Sequence, residues 1–379
     1  MMKRISVAVL SAFVIFVSVL SFRNPAALNL DPVAYASGQT APELIGKSDM
    51  WLNTGGKALE LYGPNGLLAA DPYAPGKKPV VVVDFWEYTC VNCLATLPYV
   101  KDWADRYRSS GLIVIGIHTP EFTFAHETAN VSAAVKRLGI DYPVVVDSSY
   151  SNWNAYNNEF WPMKYVLDSR GRVVFTHSGE GGYAETERKL RALLLAANPG
   201  EDLPPAYGDH EAMPSDAAMI DGMTGELYAG SDRGQLQNEE GYGNGAAIAY
   251  RGINPAGWSD GEVVVKGLWR FTGEYAEHAR TDTGSDYIGV RYHAGQAVAV
   301  IKPQSDAGFK VYVLQDGAPV ARGDAGSDLR YDPDGRSYIM VDSPREYQIT
   351  HNHEFGAHVL ALFPSSDRFR LYSFDFEAT

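Results

Sequence analysis

Residues 79–100 read PVVVVDFWEYTCVNCLATLPYV, and this stretch decides the fold. The β-branched run over 79–85 predicts a strand buried on both faces of a sheet. A short loop follows, and Cys90-Val91-Asn92-Cys93 opens a helix whose apolar stripe runs through Leu94, Leu97, Val100, Trp103, Ala104 and Tyr107. Placement gives the cysteine pair its meaning. At a helix N-terminus the unpaired N–H groups and the helix dipole favour negative charge. A free thiol ionises near about pH 8.5, whereas a Cys-x-x-Cys pair at a helix start can fall to about 3.5–7.5. Cys90 is therefore the expected attacking thiol, and Cys93, one turn into the helix, the resolving one.

Two further positions belong to this reading. Asp84 is a lone carboxylate in the apolar strand, six residues before Cys90. Burial raises a carboxylate's pKa, so Asp84 is a candidate acceptor for the Cys93 proton; capping the loop is its bland alternative. Trp161-Pro162 is the second. Only before proline is a cis peptide cheap, and a cis-proline facing the cysteines would present the Trp161 backbone to a substrate peptide. On the residues alone, an ordinary loop proline is the better reading of Pro162.

The two cysteines are the only ones in 379 residues. A disulfide-stapled scaffold would scatter several, and a structural zinc site needs four ligands, so the sequence calls for no metal and no cofactor. The net charge of -14 argues against nucleic acid as a partner, because a phosphate backbone needs a basic face. Residues 1–22 combine a Met1-Met2-Lys3-Arg4 start with an uncharged apolar run over 5–22. That is the pattern of a signal peptide or membrane anchor, and it places the body outside the cytoplasm, tethered or secreted. Ala34-Tyr35-Ala36 fits a cleavage site, though far beyond the apolar run.

Length alone suggests two domains. Residues 23–46 read as a tether and 47–200 as one α/β domain. Within it, strands are expected at 57–62, 79–85, 112–117, 142–146, 164–168 and 172–177, with helices after the cysteine pair, at 131–138 and at 185–197. Their alternation implies a sheet with a mainly parallel centre. Residues 201–214, polar and Pro-rich, read as a linker. From 215 to 379 helical periods vanish and short strands recur at 246–250, 262–269, 286–292, 296–302, 309–314, 337–342, 346–350, 358–363 and 369–376. This is the signature of an all-β sandwich of about eight or nine strands.

The combination of Val83-Asp84-Phe85-Trp86, Cys90-x-x-Cys93, Pro98 and Pro162 resembles the thioredoxin fold. More narrowly, the runs DFWEYTCVNCLATLPYVKDWADRY, IGIHTPEF, NWNAYNNEFWPMKYVLDSRGRV and GEGGYAETER resemble TlpA-like redoxins of the branch that forms the C-terminal part of DipZ-type proteins. The resemblance covers roughly 45–200. The region from about 215 onward is similar, more loosely, to the carbohydrate-module-like sandwich that follows the redoxin there. The resemblance implies an extracytoplasmic disulfide reductase acting on protein disulfides and supplied with electrons by a membrane thiol carrier. It implies Cys90 and Cys93 as the redox pair, Asp84 as the proton acceptor and Pro162 as the cis-proline, with Trp86 and Trp161 beside the substrate. DipZ-type chains also carry a multi-span electron carrier. With one apolar segment in this sequence, the donor is expected to be a separate protein. Thr89 stands where the family usually has Trp, and Trp86 and Tyr88 are the residues that would compensate on the substrate platform.

Weaker signals carry two readings each. His351, His353 and His358 suggest a metal site or, better, exposed strand-and-turn histidines. Glu121 follows the strand at 112–117 and is read as a tuner of the thiols or a substrate-binding residue, or as a solvated loop acid. Residues 179–183 (GEGGY) read as a tight strand-to-helix turn, not a phosphate loop. Trp258, Trp269, Tyr275 and Tyr292 offer a glycan-stacking surface on the C-terminal domain, with core packing the commoner role. Two other function classes stay open. A thiol peroxidase would need an Arg near its reactive Cys, and none adjoins Cys90. A glycan- or partner-binding surface protein would make the redox pair secondary.

Overall fold

The computed structural model describes residues 40–42, 44, 51–52, 74–206, 222–281, 284–305 and 307–378. The export segment, the Ala34-Tyr35-Ala36 motif and the strand expected at 57–62 lie outside the described residues. Among the described residues no helix is long and apolar enough to cross a membrane.

The first domain is built on a six-stranded sheet: β1 (Trp51–Leu52), β2 (Val80–Trp86), β3 (Leu112–His118), β4 (Val144–Val146), β5 (Met163–Leu167) and β6 (Val173–Ser178). Four helices flank it: α1 (Val91–Tyr107), α2 (Thr128–Arg137), α3 (Ser151–Ala155) and α4 (Tyr183–Ala197). The strand order is β1-β4-β3-β2-β5-β6. Only β2, β3 and β4 run parallel; β1, β5 and β6 pair antiparallel. The sheet is therefore mixed, with the parallel centre expected and antiparallel strands at its two sides. Its second half, β5-β6, is joined by a hairpin at Asp168–Arg172 and needs no crossover helix.

Alternation along β2 sorts its side chains onto two cores. Val81, Val83 and Phe85 pack with Ile113, Ile115, Tyr156 and Tyr165 on one face. Val80, Val82 and Trp86 pack with Cys93, Leu97, Val100, Trp103 and α4 residues Leu190 and Leu194 on the other. Asp84, one of the even-numbered set, thus points to the face that carries the cysteine helix.

Parts of the expected tether and linker are docked. Thr40 bridges Arg172, and Leu44 is buried among the core residues. Beyond α4, Arg191 donates to the carbonyl of Pro204, and Arg106 donates to that of Pro205 at 3.2 Å. Residues 201–206 therefore line the redoxin surface, and only 207–214 of the linker lie outside the described residues. The glycines of the 179–183 turn do the work expected of them. Gly179, Gly181 and Gly182 all take positive φ, and α4 starts at Tyr183.

The C-terminal domain is all-β, as expected, with its strands in one continuous hydrogen-bonded sheet of eleven. Two expected pairs of short strands are each a single long one, Tyr287–Ile301 and Arg345–Pro364. They pair with each other along their length, with register shifts at Ala294/Gln296 and Ala297/Val298. Such bulges bend a strand without ending it. The first half of Tyr287–Ile301 borders Val263–Phe271, and its second half borders Arg370–Glu377. Trp258, Trp269 and Tyr292 are buried and Tyr275 packs against Tyr372. Trp269 and Tyr292 are core residues, whereas Trp258, though mostly buried, lines a pocket with Tyr287 and Phe363.

Candidate redox site

Cys90 is the N-cap of α1, with φ -77° and ψ 112°, and its Sγ accepts a hydrogen bond from Cys93 N at 3.2 Å. The two cysteines form a disulfide. Cys90 is half-buried whereas Cys93 is 2% exposed, so Cys90 is the more accessible of the two. No acidic residue sits in the first turn of α1, which leaves the amide N–H groups and the dipole unopposed for a thiolate at Cys90.

On the sheet face that carries α1 lies a buried ion pair that sequence reading found only in half. Asp84 on β2 stands directly opposite Lys164 on antiparallel β5, with Lys164 Nζ 3.9 Å from Asp84 Oδ1. Asp84 is 2% exposed and Lys164 0%. Burial pushes the Asp84 carboxyl up to about 6, with the Lys164 charge opposing that rise. The same burial holds the Lys164 ammonium below its ordinary range, while Asp84 and Glu180 favour its charged form. Neither Lys164 Nζ nor Asp84 Oδ1 has a hydrogen-bond partner. A carboxyl ionising near 6 on the cysteine face of the sheet is suited to exchanging a proton at neutral pH.

The loop entering α1 is held from within. Glu87 is fully buried, and its Oε2 accepts from Thr89 N at 2.6 Å and from the Thr89 hydroxyl. Its Oε1 lies 3.5 Å from His118 Nε2 at the end of β3. The Tyr88 ring stacks on His118 at 5.3 Å, and Trp86 meets the same imidazole edge-on. Trp86 is buried, with its indole against Gly116, where an added Cβ would lie 2.8 Å from Nε1. The expected substrate-platform role of Trp86 is therefore corrected: it packs the floor of the site, and buried Tyr88 does the same. Neither reaches the surface to compensate for Thr89, which is itself 2% exposed.

Across from the cysteine loop, Trp161-Pro162 is cis. Trp161 is half-exposed with its ring 4.2 Å from Trp153, and Phe160 beside it is 41% exposed. Pro162 is buried, and its carbonyl accepts from Gly179 N at 2.8 Å. Glu121, by contrast, neither tunes the thiols by contact nor stands in solvent. It accepts from Arg233 Nη1 at 2.7 Å and from Tyr228 OH at 2.8 Å, both in the C-terminal domain. His353 and His358 face different partners, Asp324 and Asp316.

Comparisons with known proteins fall on the same residues. The Redoxin family matches 38–194, and the family described as thioredoxin like C-terminal domain matches 224–376. Protein DipZ of Mycobacterium tuberculosis is 34% identical over 289 residues, covering 74% of this chain and 37% of DipZ. This chain is a thioredoxin-like redoxin resembling DipZ. It spans little more than a third of the length of that relative. Thiol-disulfide oxidoreductase YkuV of Bacillus subtilis is 26% identical over 156 residues, covering 41% of this chain and 95% of YkuV. A solved thioredoxin-like protein in its oxidized form is 24% identical, with a TM-score of 0.35, covering 42% of this chain and 97% of that one.

Lys164 and Glu87 were missed in the sequence. Lys164 had a signal: a single lysine in the apolar run MKYVL, two residues after Pro162. A charge in a strand otherwise made for burial calls for a partner.

Proposed function

We propose that this redoxin is an extracytoplasmic protein-disulfide reductase, with Cys90 as nucleophile, Cys93 as resolving thiol and Asp84 as the buried proton acceptor. The observation that carries the reading is the asymmetry of the pair: accessible Cys90 capping α1, buried Cys93 on the face that also holds Asp84 and Lys164. The YkuV relative is named a thiol-disulfide oxidoreductase, which supports the reaction class.

The exchange runs in two steps. In the reduced enzyme, the Cys90 thiolate attacks one sulfur of a substrate disulfide; the other substrate sulfur leaves as a thiolate and takes a proton. Cys93 then loses its proton to Asp84 and attacks Cys90 Sγ, so the Cys90–Cys93 bond forms and the second substrate thiolate leaves. The substrate disulfide gains two electrons and the enzyme pair loses two. A separate membrane dithiol donor would return them, leaving the enzyme ready for another round. The export pattern over 1–22 supports action outside the cytoplasm.

Reduction is favoured over oxidation because Val91 and Asn92 add no charge that would stabilise the thiolate, and a stabilised reduced form is what makes a strong oxidant. Equilibration of the full chain with glutathione buffers tests this. A midpoint well below the strong-oxidant value of about -120 mV is expected; one at or above it would overturn the direction.

A further inference from the structure

We propose that the C-terminal β domain is a working part of the redox site: Tyr372 and Arg233 are positioning residues that fix the loop delivering Cys90. This rests on the reading of Cys90 and Cys93 as the exchanging pair. The loop after β3 is gripped by the other domain along its length. Glu121 is bonded by Arg233 and Tyr228, and Thr123 N donates to Glu274 Oε1 at 3.0 Å. The Arg233 guanidinium lies 3.6 Å over the Tyr228 ring and 5.3 Å from that of Phe122.

Buried Tyr372 seats its ring 4.7 Å from Phe124 and 5.2 Å from Phe122, edge to face in both cases. From behind, Tyr275 packs on Tyr372 at 5.1 Å, and the Tyr372 carbonyl accepts from Ala229 N at 2.8 Å. Phe124 in turn meets Tyr88 at 6.2 Å, and Tyr88 stacks on His118. Tyr88 is two residues before Cys90. A contiguous aromatic path thus runs from the β domain to the loop that sets the N-cap. Tyr372 and Val300 share one apolar cluster with Tyr88, Cys93 and Leu97.

The consequence is electrostatic. Thiolate stabilisation at Cys90 depends on the approach of its sulfur to the amides that open α1, shown by the 3.2 Å bond from Cys93 N. Edge-to-face pairs have a preferred geometry that aliphatic contacts lack, so the Tyr372–Phe124 contact holds Tyr88, and through it Cys90, in register. Removing the ring lets the loop relax and moves the dithiol–disulfide equilibrium.

The test uses full-length Tyr372→Leu, Tyr372→Ala and Arg233→Gln proteins, with Tyr338→Ala, far from the cysteines in the C-terminal domain, as control. Each is equilibrated with reduced and oxidised glutathione at fixed pH, and the pH profile of Cys90 alkylation is recorded on the reduced form. Tyr372→Leu and Arg233→Gln are expected to move the equilibrium constant at least three-fold, about 14 mV for a two-electron couple. The alkylation profile should shift with it, and Tyr338→Ala should match the wild type. Lower thermal stability with an unchanged equilibrium and profile would overturn the proposal, leaving Tyr372 as packing alone. Should Tyr372→Ala fail to fold, Arg233→Gln decides, since half of its side chain is already in water. A wild-type protein that shows no thiol–disulfide equilibrium would instead overturn the exchange reading itself.

Discussion

At the scale of single residues, the site turns on a carboxylate placed where water cannot reach it. Asp84 ionises near 6 when folded, against an ordinary value of 3.8. The folded state therefore holds a proton that the unfolded chain has already lost over that window, and stability falls as pH rises from about 4 to 6. The size of that loss is about 3 kcal/mol. Asp84→Asn should flatten the decline, as read from denaturant midpoints at pH 4 and pH 7; an unchanged pH dependence would speak against the buried, ionising Asp84. The same variant should slow resolution of a mixed disulfide by on the order of 10²-fold and abolish the limb near pH 6. Lys164 lowers the Asp84 value by its charge, so Lys164→Met should move that limb to higher pH. A shift to lower pH would contradict the geometry. Of these residues, Asp84 was legible as a break in an apolar strand. Lys164 stood out as a charge in an apolar run, but its pairing with Asp84 was not legible, because it is made by the register of β2 against β5, eighty positions later in the chain.

At the scale of elements, the loop between β2 and α1 is specified by buried polar contacts rather than by the surface aromatic the family usually has there. Glu87 supplies the acceptor for both Thr89 donors. Glu87→Leu orphans them inside the protein and should cost about 1–3 kcal/mol for each donor, measurable by chemical denaturation. Behind that loop, Gly116 leaves room for Trp86 and Tyr142. Gly116→Ala should destabilise by about 1–3 kcal/mol through overpacking; a neutral effect would show that the indole can move aside. Helix α1 and strands β2, β3, β5 and β6 were readable from periodicity because one face or both are apolar. The bulged strands Tyr287–Ile301 and Arg345–Pro364 were not. Around Ala294-Gly295 and Asn352–Gly356 the alternation falters at a bulge, and the pairing resumes on either side of it, so the sequence looks like two strands where the chain makes one.

At the scale of the molecule, the two domains share a core instead of meeting through a linker. Val300 and Tyr372 belong to the redoxin's apolar cluster, and Glu121 and Thr123 are bound by the β domain. Calorimetry of the oxidised protein should accordingly show one cooperative transition for both domains; two resolved transitions would contradict a common core. That contact was invisible in the sequence, since Phe122 and Phe124 stand far from Tyr372 in the chain and no pattern in either region pairs them. The central claim is nonetheless local to the pair that opens α1. It is tested most directly by mixing reduced Cys93→Ser protein with an oxidised protein substrate and weighing the products by mass spectrometry. A covalent adduct through Cys90, released by dithiothreitol and absent from Cys90→Ser protein, is the predicted result. No adduct at Cys90 under conditions where the wild-type protein reduces the same substrate would contradict it.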